Sequence, residues 1–203
     1  MNRYDENSNR HKDRTVNIIL AGVGGQGLVL LTDMLCEVGH RAGYDVKSND
    51  VVGLSQRGGK VWGSVRLGEK VHSPNIRKGE ADYILALEPL EGLRWQGFLK
   101  TGGRLFASTS EIYPVFAIAE QAEYPHDLEN HIRPDIDFVK HDIHTLSIKL
   151  GTVKVTNVMM MGLLASQLDI SNDIWEAVIR ETVPEKFVDE NIKAFELGKS
   201  LTA

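Results

Sequence analysis

Gly22, Gly24 and Gly27 stand in the spacing G-x-G-x-x-G, within the stretch "GVGGQG" that directly follows the apolar run "VNIILA". Between a strand and a helix, this spacing lets the first glycine turn tightly, the second bring backbone close to a phosphate, and the third pack the helix on the strand. Amide groups at the helix start then face the anion, helped by the helix dipole. Gln26 adds a side chain that can donate and accept. A second stretch, "SQRGG", occupies residues 55–59. Here Arg57 offers a planar fork for carboxylate or phosphate, Ser55 and Gln56 offer neutral hydrogen bonds, and Gly58 and Gly59 can present amide groups. The chemistry both stretches suggest is anion capture. The plainer readings are a tight turn without a ligand and a surface hairpin with a solvated arginine. An acid to hold the ribose of a dinucleotide is not cleanly placed, because Asp45 comes early and Asp50 late, and this weighs against NAD.

The elements around these residues are legible. "TVNIILAG" reads as a buried strand, and the helix after it places Leu28, Leu31, Leu35 and Val38 near helical spacing, with Gly43 as its stop. "YDVKSNDV" reads as the next strand, and the β-turn-α-β order predicts that it pairs in parallel with the first. "KVWGSVRLG" and "EKVHSP" alternate as two strands of a hairpin turning at "LGEK". "ADYILALEP" is a buried strand, "LEGLRWQGFL" a helix, "TGGRLFAST" a strand and "DFVKHDI" a strand with its exit. Between them, prolines 114, 125 and 134 punctuate a less regular region in which "VFAIAEQA" is a short helix. From 156 onward the chain is helical in three segments, with Ser171 as the N-cap of the second and Pro184 in the first turn of the third. These elements make a single α/β domain over residues 15–203. It is a three-layer, Rossmann-like fold, with a mostly parallel sheet, helices on both faces and a C-terminal helical segment. Residues 1–14, rich in polar and charged side chains, read as a disordered leader.

Composition removes several classes. Of the 203 residues, 42% are hydrophobic and 25% charged, which suits a globular protein with its own core. A net charge of -5 gives no electrostatic case for nucleic acid. No apolar run is long enough for a membrane span, and the N-terminus has no signal-peptide core. The single cysteine, Cys36, cannot make an intrachain disulfide or hold an iron–sulfur cluster. It fits core packing and a reducing cytoplasm.

Other groupings are weaker. His126, His131, His141 and His144 lie close in sequence, but solvated or singly bonded histidines explain them better than a metal site does. Glu88, Glu91 and Arg94 are one helical turn apart, and read equally as a surface ladder or as Glu88 facing a ligand crevice. "VMMMGLL" reads as helix core or subunit interface. Trp62, Trp95 and Trp175 are natural interface anchors that core packing explains as well.

"GVGGQGLVLLTDML", "VVGLSQRGGKVWGSVRLG", "SPNIRKGEADYILALEPLEGLRW", "TGGRLFASTSEIYP" and "NIKAFELG" together resemble the gamma subunit or domain of 2-oxoacid:ferredoxin oxidoreductases, in particular the small (beta) subunit of the indolepyruvate type. The likeness runs from about residue 15 to 198. It implies a division of labour. Thiamine diphosphate, Mg and [4Fe-4S] clusters belong on a large (alpha) partner subunit, and none of them is bound by this chain alone. Coenzyme A is a co-substrate of the complex and ferredoxin its electron acceptor. The isolated chain could pair with itself through the partner face. A G-D-G with a downstream Asn, the thiamine signature, is missing here. The resemblance carries ligand contact onto Gly22, Gly24, Gly25, Gln26 and Gly27, onto Ser55, Gln56, Arg57, Gly58 and Gly59, and onto Glu88 and Asn157, with no catalytic residue assigned. Two departures bear on the substrate. Asp50 and Leu54 stand where the family usually has Glu and Met, and Ser108-Thr109-Ser110 where it often has Asn. Gamma subunits for pyruvate or branched-chain acids, a stand-alone nucleotide-binding oxidoreductase and a scaffold subunit are the alternatives.

Overall fold

The computed structural model describes residues 14–51, 59–112, 124 and 127–201. Six strands form one sheet: β1 (Val16–Val23), β2 (Asp45–Val51), β3 (Lys60–Gly68), β4 (Ala81–Ala86), β5 (Leu99–Ser108) and β6 (Asp137–His141), in the order β2-β3-β1-β4-β5-β6. β1, β4, β5 and β6 run parallel to one another, while β3 is antiparallel to both β1 and β2. The helices are α1 (Leu28–Arg41), α2 (Pro89–Trp95), α3 (Ile143–Lys149), α4 (Thr156–Ala165), α5 (Asn172–Thr182) and α6 (Val188–Ser200).

Alternation along the strands separates two cores. Ile18, Leu20, Val65, Leu85 and Phe106 face α1 and the C-terminal helices. Ile19, Ala21, Ile84, Ala86, Leu105 and Ala107 face the opposite side, against Trp95 at the end of α2 and Phe98 in the 3-10 turn after it. α1 buries Leu28, Leu31, Leu35 and Val38 on the first core, as its periodicity predicts, each worth roughly 1.5–3 kcal/mol of gross burial. Gly43, at φ 81°, ends it by donating its amide hydrogen to the His40 carbonyl at 2.9 Å. α4 carries "TNVMMMGLLA" and is buried from Asn157 to Ala165, so the methionine run is helix core. It crosses α6 at two glycines: a Cβ on Gly162 would lie 2.2 Å from the Phe195 carbonyl oxygen, and one on Gly198 2.0 Å from that of Met159.

Two expectations are corrected. β1 and β2 are not a parallel pair, because β3 lies between them and takes the whole edge of β1, from Val16 opposite Leu67 to Val23 opposite Lys60. The connection from β2 to β3 is too short for a parallel crossover, so β3 returns antiparallel. "EKVHSP" is not a strand. Its backbone is held by side chains instead: the Val71 amide donates to Asp45 Oδ2, Ser64 Oγ to the Pro74 carbonyl, and Arg66 Nη1 to the Ser73 and Asn75 carbonyls. Ser171 occupies the N-cap of α5 without a side-chain cap bond, and Pro184 opens a 3-10 turn at Glu185–Phe187 that precedes α6. Apart from Arg14, the leader lies outside the described residues, as does "VFAIAEQA". No helix among the described residues is long and apolar enough to cross a membrane.

Candidate functional site

The carboxyl ends of β1 and β4 mark the point where the chain diverges, α1 leaving over one face and α2 over the other. Open α/β sheets bind ligands in such crevices. The glycine turn sits there. Gly25 (φ 101°) and Gly27 (φ 77°) take left-handed backbone, and Gly27 is the N-cap of α1. No side chain caps α1 and its first turn holds no acid, so its leading amide groups and dipole remain available to an anion.

Each supporting residue is fixed by the fold. The Gly24 amide donates to the Gly59 carbonyl at 2.8 Å, which ties the end of the second glycine loop to the first. Gln26 Oε1 accepts from the Val23 amide at 2.8 Å, and its Nε2 donates to the Leu87 carbonyl at 2.9 Å. Asn157, 4% exposed at the start of α4, donates from Nδ2 to the Gly27 carbonyl at 3.4 Å. Gly22, Gly24, Gly25, Gln26, Gly27, Gly59 and Asn157 are thus brought together. Ser55, Gln56, Arg57 and Gly58 lie outside the described residues.

Beside this turn lies a cleft of ≈ 510 Å³. Gly25, Gln26 and Gly27 form one wall with Leu30, and Ser110, His144, Lys154 and Asn157 contribute to the others. No described carboxylate lines it. Lys154 and His144 give it basic character, and exposed Leu30 and Val153 give it an apolar lip. Lys154 went unnoticed in the sequence because nothing local distinguishes it from a solvated lysine; a 3-10 turn before α4 carries it to the cleft. Ser110 faces this cleft, whereas Ser108 and Thr109 line a smaller hollow of ≈ 140 Å³ beside Pro89 and Phe138. The end of β5 therefore divides two recesses.

Glu88 fits neither of its two sequence readings. It is fully buried (0% exposed) at the N-cap of α2. Its Oε2 accepts from the Glu91 amide at 2.8 Å and its Oε1 from the Tyr124 hydroxyl at 2.5 Å. Burial raises its carboxyl above the usual carboxylate range, against the pull of these donors. Burial also raises Glu91, which pairs with Arg94. The Tyr124 hydroxyl is pushed upward by burial and by its bond to Glu88. Glu88 braces the turn after β4 from behind, and the sequence could not show this because Tyr124 arrives from thirty-six residues away.

Trp62 and Trp95 lie half-buried with ring centres 4.5 Å apart and planes tilted by 37°, and Phe98 continues the row, while Trp175 is core against Phe195. Among the described residues, no group of three or more His, Cys, Asp or Glu is placed to hold a metal. A ribose-binding acid at the end of β2 would stand two strands from β1, not one, and Asp45 is engaged by Lys47 and the Val71 amide.

A family profile described as pyruvate ferredoxin/flavodoxin oxidoreductase matches residues 17–201. The chain is 38% identical over 188 residues to the indolepyruvate oxidoreductase subunit IorB of Thermococcus kodakarensis, covering 90% of this chain and 93% of that one. It is 25% identical over 187 residues to the 2-oxoglutarate synthase subunit KorC of Archaeoglobus fulgidus, covering 91% and 87%. Its fold matches the gamma subunit of a keto/oxoacid ferredoxin oxidoreductase from Geobacter sulfurreducens with TM-score 0.71 at 24% identity, over 92% of this chain and 98% of that one.

Proposed function

Since the chain belongs to the pyruvate ferredoxin/flavodoxin oxidoreductase family, we propose that it is the small subunit of a 2-oxoacid:ferredoxin oxidoreductase of the indolepyruvate type. The observation that carries this is the 38% identity to an indolepyruvate oxidoreductase subunit across nine-tenths of both chains, against 25% for a 2-oxoglutarate synthase subunit. The complex would oxidatively decarboxylate an aryl 2-oxoacid, join the acyl group to coenzyme A, release CO2 and pass two electrons to ferredoxin.

In this reading, thiamine diphosphate with its Mg supplies the carbanion chemistry, and [4Fe-4S] clusters carry the electrons, all on a large partner subunit. One cysteine is too few to ligate a cluster. This chain supplies a binding wall. The uncapped start of α1, Lys154 and Arg57 hold an anionic group, the carboxylate of the 2-oxoacid or a phosphate of coenzyme A. Leu30 and Val153 cover apolar parts beside it. The assembly works in a reducing cytoplasm, which suits the lone Cys36.

The test is co-expression with a candidate large subunit. Coenzyme A-dependent reduction of ferredoxin or a viologen is measured with aryl pyruvates, pyruvate and branched 2-oxoacids. Activity that needs both chains and prefers aryl pyruvates is expected. Preference for another acid would reassign the substrate, and a nucleotide bound by this chain alone, with no complex, would overturn the subunit reading. Arg57→Ala should raise KM for coenzyme A or the 2-oxoacid in the assembled enzyme.

A further inference from the structure

The β1–β4 ladder stops one rung early, and Gln26 fills the gap. Ala21 lies opposite Ala86, and the Leu87 amide donates to the Ala21 carbonyl at 2.8 Å. In a regular parallel ladder the Val23 amide would next donate to the Leu87 carbonyl. Instead the Val23 amide donates to Gln26 Oε1 at 2.8 Å, and Gln26 Nε2 donates to the Leu87 carbonyl at 2.9 Å. A side-chain carboxamide, the chemical twin of a peptide group, is inserted between the two strand ends. It satisfies both backbone groups while holding the strands apart by its own width. Gly22 leaves the space it needs, since a Cβ there would lie 2.6 Å from Oε1.

We infer that Gln26 is a positioning residue whose carboxamide wedge sets the opening of the crevice between β1 and β4. The wedge fixes where the leading amides of α1 stand relative to Leu87, and so the geometry offered to an anion. Only a group with an acceptor on one atom and a donor on the other can do this. Glu is the same size, but when ionised it turns an oxygen on the Leu87 carbonyl. When protonated it regains the donor. The wedge stands on the hydrogen bonds alone; its consequence for ligand binding rests on the function proposed above.

The experiment compares the wild-type full chain with Gln26→Glu and Gln26→Ala by thermal melting at about pH 5 and about pH 8. The same three are then assayed in the assembled complex for KM and kcat with coenzyme A. Glu88, His144 and Lys154 also stand near the turn, from the β4–α2 junction, α3 and the 3-10 turn before α4. They are common to all three proteins, and the wild-type and Ala profiles correct for them. In Gln26→Glu the folded state favours the protonated acid, so the acid's folded pKa lies above its unfolded value. Its contribution is present at low pH and lost as pH rises. Gln26→Glu should melt roughly 3–8 °C below wild type at the higher pH and recover most of that at the lower. Gln26→Ala should show a deficit that pH does not repair. KM for coenzyme A should follow the same pattern, rising in Gln26→Glu at high pH and falling back on acidification.

A Gln26→Glu protein that melts like wild type at the higher pH, or whose deficit is equal at both, would overturn the wedge. Melting as expected with a KM that ignores pH, in an assembly that uses coenzyme A, would make Gln26 merely structural and overturn the positioning role. Melting as expected while the wild-type assembly neither binds nor uses coenzyme A would leave the wedge standing and remove the ligand reading.

Discussion

A Cβ on Gly22 would stand 2.6 Å from Oε1 of Gln26 and 2.9 Å from Cδ1 of Leu28. The first glycine of the motif is therefore a space for the carboxamide that follows it, in addition to a place to turn. Because the carboxamide ends a flexible side chain, Gly22→Ala should expel it and leave the strand in place. Gly22→Ala and Gln26→Ala should each lower stability by about 1–3 kcal/mol through the orphaned Val23 and Leu87 groups. The double variant should cost little more than either alone. Urea unfolding of the three proteins reads the coupling, and strict additivity would show the two positions to be independent.

The crossing of α4 and α6 leaves no such freedom. Gly198 faces the Met159 carbonyl and Gly162 that of Phe195, and backbone cannot step aside as a side chain can. Gly198→Ala should destabilise by about 3 kcal/mol or more, by forcing the helices apart across the larger core. The denaturation midpoint gives the cost, and a loss under 1 kcal/mol would mean that the helices re-pack cheaply.

Glu88 makes stability pH-dependent with a definite sign. Burial raises its folded carboxyl above the unfolded value, so its contribution is complete below the unfolded value and is lost as pH rises through the folded one. Glu88→Gln keeps an acceptor for the Glu91 amide and removes the charge. Relative to Glu88→Gln, wild type should lose stability as pH is raised from about 5 to about 8. A difference that stays flat or grows in favour of wild type would contradict this.

Lys154 is the described cation at the cleft. Lys154→Ala should raise KM for coenzyme A or the 2-oxoacid in the assembled enzyme roughly 3–10-fold, a loss of order 1 kcal/mol for one partly solvated charge. The effect should shrink at high salt, because an exposed charge is screened. A KM independent of both the substitution and the salt would place the anion elsewhere.

The glycine turn, the helix after it and the faces of the strands were legible in the sequence because each depends on residues a few positions apart. Period 3.6 marks the buried stripe of α1, period 2 marks the two faces of β1, and only glycine fits Gly25 and Gly27 without strain. The family resemblance was legible for the same reason: its motifs are short and stand in order. What periodicity does not encode is the neighbour. It assigns residues of β2 to a face but cannot say that β3 stands between β2 and β1, since either order buries the same side chains. It marks Glu88 as polar at a strand end but cannot show that Tyr124 meets it there, so a carboxylate that could have faced ligand is a buried brace. It reads Gln26 as free to meet a ligand, whereas the tertiary structure spends both ends of its carboxamide on backbone that strand separation leaves unpaired. Local sequence determined most of the elements, and where it did not, at "EKVHSP", side chains of Asp45, Ser64 and Arg66 hold the backbone in place of strand pairing. Long-range pairing decided which polar groups remain for chemistry, because a hydrogen-bonding group is available only after the fold's own donors and acceptors have been satisfied.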